Sequence, residues 1–382
     1  MDTEKAKIHP QMVDLKAQYS RLKKEVDAAM MQVVDSAQYI NGPQVQTFAD
    51  ALKNYLSAEA VVPCANGTDA LQLALMALDL QPGDEVITTA FSFVASAEVI
   101  ALLGLKPVFA DIHPDTYNID ARDIEQRITA QTKVILPVHL FGQTADMSAI
   151  MQLADKHGLY VIEDVAQSLG ATCFYKGKDR QAGTIGHIGC TSFFPSKNLG
   201  CFGDGGACFT NDPALAQRMK IISAHGSAKP YYYERVGINS RLDTLQAAVL
   251  NAKLPYLNAF ISERREVAAV YNDLLKDVVQ VGLPAVREDA WHTYNQYTIR
   301  VRNGKREALM KGLEKMGIPS RIYYPLALHQ QAAFGRYAPV GHGLKQAEKA
   351  CQEVLSLPMH TEMSPEEAAY IARSVAGLLK EL

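Results

Sequence analysis

The feature that most constrains this chain is a regular alternation between residues 85 and 164. Short apolar runs, Glu85-Val-Ile-Thr-Thr-Ala90, Pro107-Val-Phe-Ala-Asp111, Val134-Ile-Leu-Pro-Val138 and Tyr160-Val-Ile-Glu-Asp164, are separated by stretches that read as helices near 94–103, 121–129 and 146–157, the last closed by Gly158. Runs of this length between helices indicate a parallel sheet buried on both faces, with right-handed crossovers. The fold class is therefore α/β. Two helical segments, 20–36 and 43–57, come first. Asn41-Gly-Pro43 divides them and puts proline at the start of the second helix.

The rhythm changes after Gly170. Cys190–Phe194 and Ala207–Thr210 read as strands joined through a loop that holds Gly200, Gly203, Gly205 and Gly206. From 259 to 277 a charged helix (Ser262-Glu-Arg-Arg-Glu266) looks like a bridge to a second unit. That unit has a strand near 295–301 and helices near 305–316, 344–355 and 364–380. A chain of 382 residues exceeds one core of about 150 residues. The expected division is a large domain over 1–255 and a smaller α+β domain over 256–382.

Composition excludes more than it assigns. Thirty-eight Lys and Arg against 41 Asp and Glu leave a net charge of −3, with neither a basic excess for nucleic acid nor an acidic tail. The most apolar stretch, Val86 to Leu105, is interrupted by Glu98 and hydroxyl residues, which argues against a membrane span. The opening MDTEKAKIHP has no apolar core, so no signal peptide is expected. Cys64, Cys173, Cys190, Cys201, Cys208 and Cys351 form no C-x-x-C pair and read as reduced thiols of a cytoplasmic protein. No His, Cys and Asp cluster has metal-ligand spacing, so no metal is expected.

Three segments carry chemistry. Ala65-Asn-Gly-Thr-Asp69 precedes a helix whose Leu71, Ala74, Leu75 and Leu78 form one apolar stripe. Gly67 and Thr68 then sit at a helix start, where free amides and the helix dipole favour an anion such as phosphate; taken alone, the segment is better explained as an ordinary cap. Asp164 ends a central strand, where doubly wound sheets place ligands, and Gln167 follows three residues on. Lys197, in Thr191-Ser-Phe-Phe-Pro-Ser-Lys197, lies in an apolar and glycine-rich setting that would desolvate its amine and free it as a nucleophile. Phosphate donors, a partner for a pyridinium nitrogen and a Schiff-base lysine are the parts needed to hold pyridoxal phosphate. A dinucleotide-binding reading fails, because no strand–turn–helix carries G-x-G-x-x-G.

Across nearly its whole length the chain resembles the sugar aminotransferases of the DegT/DnrJ type. The resemblance rests on Tyr39-Ile-Asn-Gly-Pro43, Ala65-Asn-Gly-Thr-Asp-Ala70, Pro137-Val-His-Leu-Phe-Gly-Gln143, Glu163-Asp-Val-Ala-Gln167, Ser192-Phe-Phe-Pro-Ser-Lys197, Gly203-Asp-Gly-Gly206 and Gly237-Ile-Asn-Ser-Arg-Leu-Asp243, in that order. It implies the pyridoxal-phosphate-dependent transferase fold type I: a mostly parallel seven-stranded sheet between helices, plus the small α+β domain. It implies pyridoxal 5'-phosphate as cofactor, with pyridoxamine phosphate as its amino-carrying form. By resemblance, Lys197 is the catalytic Schiff-base lysine and Asp164 pairs with the ring nitrogen. Gln167 contacts the ring or its phenolic oxygen, and Phe93 stacks on the ring, with Phe91 as a competitor two residues away. Gly67, Thr68 and Ser192 bind the phosphate. Asn239 reaches the phosphate of the neighbouring subunit, which places the active site at a homodimer interface.

Within the family, Tyr231 to Gln246 looks most like enzymes acting on UDP-linked 3-keto uronic acids, with L-glutamate as amino donor. Arg241 is suited to a carboxylate or diphosphate, because its planar fork binds both. Arg321-Ile-Tyr-Tyr-Pro325 and His329 resemble the substrate-side loop, which makes Tyr323, Tyr324 and His329 substrate candidates; Tyr323 stands where some relatives carry His. The two tyrosines read equally well as a half-buried strand end. His139 is expected to position loops through hydrogen bonds, His225 to lie in a mobile loop, and neither to catalyse. The expected function is amination of UDP-2-acetamido-2-deoxy-3-oxo-glucuronate for surface polysaccharide. The alternatives are a dTDP-3-keto or 4-keto-6-deoxyhexose substrate, or a pyridoxal-phosphate-binding regulatory protein.

Overall fold

The computed structural model describes residues 10–339 and 343–382. Its centre is a seven-stranded sheet. The strands lie in the order Ala60–Cys64, Gly206–Thr210, Ile188–Ser192, Tyr160–Asp164, Thr132–Leu136, Glu85–Thr89, Lys106–Ala110. Gly206–Thr210 alone runs against its neighbours, so the sheet is mostly parallel, as expected. Side-chain alternation serves both faces. Val86, Val134, Leu136 and Ile162 enter one apolar cluster with Leu71 and Leu75, while Ile87, Ile135 and Val161 enter another with Ile150 and Leu153.

The helices start and stop where local chemistry requires. Pro43 opens Pro43–Leu56, and Gly158, at φ +65°, closes Met147–His157. Ser364 caps Pro365–Glu381 by accepting the Glu367 N–H at 3.1 Å. The expected strand at 190–194 lies at Ile188–Ser192 instead. Phe193 and Phe194 leave the sheet to begin the glycine-rich loop.

Two features had no clear signal. Ala60–Cys64 contains Pro63 and pairs on one side only, since a proline can occupy an edge strand but not a central one. Thr172–Tyr175 and Lys178–Gln181 form a hairpin whose turn residues, Lys176 and Gly177, both have positive φ. Ala290–Trp291 adds a third strand to that hairpin.

The small unit packs the helices Leu257–Leu275, Arg306–Lys315 and Pro365–Glu381 on the strands Tyr297–Val301 and Val354–Leu357. The chain after residue 255 nevertheless serves both bodies. Ala327, Leu328, Phe334, Ala347 and Cys351 belong to the large-domain cluster around Phe91 and Phe109. The Leu328 N–H donates to the Ala90 carbonyl at 2.8 Å, and the Gln346 and Ala347 N–H groups donate to the Asp111 carboxylate, so both pieces meet the carboxyl ends of Glu85–Thr89 and Lys106–Ala110.

Candidate active site

The carboxyl ends of the central strands, and the start of the antiparallel one, meet at one edge. Asp164 is in register with Cys190, Ser192 with Gly206, and Gly206 with Cys64. The chain then turns from Cys64 into the helix Gly67–Ala77. Asn66 caps it by accepting the Asp69 N–H at 2.8 Å, while helix geometry leaves the Gly67 and Thr68 amides without intrahelical acceptors. Gly67 is required by crowding: a Cβ there would meet the Ser192 Cβ at 2.7 Å. Gly206 is required too, since its Cβ would meet the Asn66 carbonyl oxygen at 2.3 Å. The structure thus brings Gly67, with Thr68 next to it in the helix's first turn, against Ser192, about 125 residues further along the chain.

Asp164 and Lys197 are shifted toward neutrality from opposite directions. Burial raises the Asp164 pKa above the ordinary aspartate value, against the Ala166 N–H and the charges of Lys197 and His139. Burial lowers the Lys197 pKa, against the attraction of Asp164. The Ala166 N–H donates to Asp164 Oδ1 at 3.0 Å, and the Asp164 backbone bonds Pro137 and His139 at 2.9 Å each. Gln167 is buried and fixed at both ends of its amide. Its Oε1 accepts the Phe141 N–H at 2.9 Å, and its Nε2 donates to the Tyr324 hydroxyl at 3.0 Å. Tyr324 also meets Phe91 edge-on, at 5.9 Å between centroids, so the 321–325 segment closes over this edge of the sheet.

Packing distinguishes Phe91 from Phe93. Phe91 is 1% exposed and makes edge contacts with Phe141 and Tyr324, whereas Phe93 is 56% exposed and presents a free ring. Tyr323 is half-buried beside Tyr324. Asn239 and Arg241 are exposed, and the Ser240 hydroxyl between them accepts the Ala65 N–H at 3.1 Å. His329 sits elsewhere. It is buried against Phe109, with Nε2 3.1 Å from Glu348, and its contacts are with the helix Lys345–Glu353 rather than with Lys197.

Sequence reading passed over Glu163, the fully buried neighbour of Asp164. It accepts the N–H groups of Gly183, Ile185 and Gly186 at 2.8, 2.8 and 2.5 Å, and pairs with His139 Nε2 at 2.8 Å. The Ala145 N–H donates to His139 Nδ1 at 3.1 Å, so Nε2 carries the proton toward Glu163. A carboxylate on the inward side of a strand was the available signal, and it points to this positioning role for His139. Among the described residues, no group of three or more His, Cys, Asp or Glu could hold a metal.

These residues fit pyridoxal phosphate. Free amides at the helix start suit an anion, a Cβ at Gly67 would press on Ser192 beside them, and a desolvated amine and a buried carboxylate stand at the same sheet edge.

The chain is similar to known proteins over most of its length. The chain is 47% identical to the UDP-2-acetamido-2-deoxy-3-oxo-D-glucuronate aminotransferase of Pseudomonas aeruginosa, over 92% of this chain and 95% of that one. The crystal structure of Streptomyces venezuelae DesV with a ketimine intermediate matches with a TM-score of 0.94 and 38% identity, over 98% and 99% of the two chains. Bacillus subtilis NtdA with bound cofactor PMP matches with a TM-score of 0.89 and 31% identity, over 99% and 87%. The sequence pattern of one family covers residues 20–376, and by that match this chain belongs to the DegT/DnrJ/EryC1/StrS aminotransferase family.

Proposed function

We propose that this chain, with pyridoxal phosphate as cofactor, moves an amino group from L-glutamate to UDP-2-acetamido-2-deoxy-3-oxo-glucuronate. It acts as a cytoplasmic homodimer supplying surface polysaccharide and lipopolysaccharide synthesis. The observation that carries the chemistry is the oppositely shifted pair, Asp164 and Lys197, beside the Gly67–Ser192 cradle. The sugar is supported by the similarity to the Pseudomonas aeruginosa enzyme. Among the described residues, no helix is long and apolar enough to cross a membrane.

The chain's residues divide the work. When bound, pyridoxal phosphate supplies an electron sink for breaking a bond at the donor's α-carbon. The Gly67 and Thr68 amides and the Ser192 hydroxyl hold its phosphate, with Asn239 of a second subunit beside them. Asp164 holds a proton on the ring nitrogen, a role that suits a buried carboxylate beside a fixed positive charge. Gln167, pinned by Phe141 and Tyr324, keeps one amide orientation toward the ring, and Phe93 covers its face. Lys197 acts as nucleophile and then as base, taking the proton from the donor α-carbon and moving it to the cofactor C4′. On the sugar side, Arg241, Tyr323 and Tyr324 contact the uronate carboxylate or the diphosphate.

The test supplies the protein with pyridoxal phosphate, L-glutamate and each keto sugar in turn. The expected outcome is 2-oxoglutarate and a 3-amino UDP-uronate from the uronate. Product from a dTDP-keto-6-deoxyhexose alone would move the substrate assignment. Cofactor binding without turnover of any donor would make this a regulatory binder and defeat the proposal.

A further inference from the structure

Lys197 stands on a loop, residues 193–205, that is closed on itself. The Phe193 N–H donates to the Gly205 carbonyl at 2.7 Å and the Cys201 N–H to the Phe193 carbonyl at 2.8 Å. Gly200 presses on Pro195 so closely that a Cβ would meet the Pro195 carbonyl oxygen at 2.3 Å. The Lys197 N–H closes the turn onto the Phe194 carbonyl at 2.9 Å. The glycine side of this loop rests on the helix Thr244–Lys253, which holds it at two points. Gln246 accepts the Phe202 N–H at 2.8 Å, and Lys253 donates to the Gly200 carbonyl at 2.6 Å. The two are seven residues apart, which places them on one face of the helix, two turns apart.

Lys253 is an unusual choice for a purely structural contact. It is 4% exposed, and among the described residues it makes no ion pair. Its Nζ also lies 5.6 Å from the centroid of the Phe202 ring. Burial lowers its pKa to about 8, with Cys201 the one titrating group that opposes the shift. A buried cation without a carboxylate costs stability, and replacing it with an apolar side chain of similar volume is commonly neutral or stabilising. A group held at such a cost beside a reactive loop points to function rather than to the fold.

We propose that Lys253, with Gln246, is a positioning residue that fixes the 193–205 loop so that the Lys197 amine is presented to the cofactor. The inference rests on Lys197 being the residue that binds pyridoxal phosphate covalently. Its test therefore reads that attachment directly, without a sugar substrate. The full chain, stripped of cofactor, is mixed with pyridoxal phosphate, quenched with borohydride at set times and analysed by mass spectrometry for the adduct at Lys197. Lys253→Met should slow adduct formation at least tenfold while the melting temperature stays level or rises. Lys253→Arg, which keeps a charged donor, should recover the rate to within threefold, and Gln246→Ala should slow it with Lys253 intact. A Lys253→Met rate within twofold of native overturns the proposal. So does a slow rate accompanied by a lowered melting temperature, because Lys253 would then merely hold the fold. Native protein that forms no adduct at Lys197 removes the covalent-attachment reading itself, and this inference with it.

Discussion

At the scale of single residues, the site depends on groups held away from their ordinary states. Lys197 is desolvated and Asp164 is buried; the Lys197 charge is favoured by Asp164, and the Asp164 charge by the Ala166 N–H first and then by Lys197 and His139. Their chemistry was legible in the sequence, because a strand-ending aspartate and a lysine in a glycine-rich stretch are visible as types and spacings. What the sequence withheld was the closeness of Gly67 to Ser192, which only the register of Ser192, Gly206 and Cys64 creates. Gly67→Ala tests that closeness. A methyl group forced to within 2.7 Å of the Ser192 Cβ should cost about 1–3 kcal/mol of overpacking and weaken cofactor binding at least tenfold. Equilibrium titration with pyridoxal phosphate reads the change, and unaltered affinity would disconnect the cradle from the cofactor.

At the scale of elements, the strand Tyr160–Asp164 presents two carboxylates with different duties. Asp164 faces the site, while Glu163 is tied by three backbone N–H groups and His139 into the wall behind it. Burial acts to raise the Glu163 pKa, but the His139 bond and charge and the Gly186 and Gly183 N–H groups outweigh it, and the net shift is downward from 4.5. The unfolded chain therefore binds the proton more readily than the folded one. Glu163 contributes its full stability above about pH 4.5, and that contribution is lost as the pH falls through the lower folded value. Thermal melting should hold steady down to about pH 5 and then fall, and Glu163→Gln should flatten much of that acid slope while lowering stability at neutral pH. An unchanged acid slope would contradict this. The parallel strands and their helices were legible through apolar runs and Gly and Pro punctuation. The edge strand Ala60–Cys64 and the polar hairpin at 172–181 were not, since neither carries an uninterrupted apolar run and tertiary pairing decides both.

At the scale of the whole molecule, the seven-stranded, mostly parallel sheet was foreseen, but the path of the chain beyond residue 255 was not. Residues 327–334 and 344–354 return to the large core, because their apolar side chains complete the cluster around Phe109. That return brings Tyr324 to Gln167 and joins the small unit to the site. Exposed Asn239 and Arg241 fit a site completed by a second copy. Mixing tests this. Lys197→Ala and Asn239→Ala should each be impaired alone, and should recover activity when unfolded and refolded together, because one site of a mixed dimer regains both residues. No recovery would place Asn239 within its own subunit's site.

The central claim is that Lys197 binds the cofactor and moves the proton. The most direct measurement follows pyridoxal phosphate and L-glutamate with native protein and with Lys197→Ala, reading the visible cofactor band and 2-oxoglutarate in the same sample. The account predicts that the native band forms and then fades as 2-oxoglutarate appears, and that the variant shows neither the protein-bound band nor the product. A variant that made 2-oxoglutarate at the native rate would contradict it.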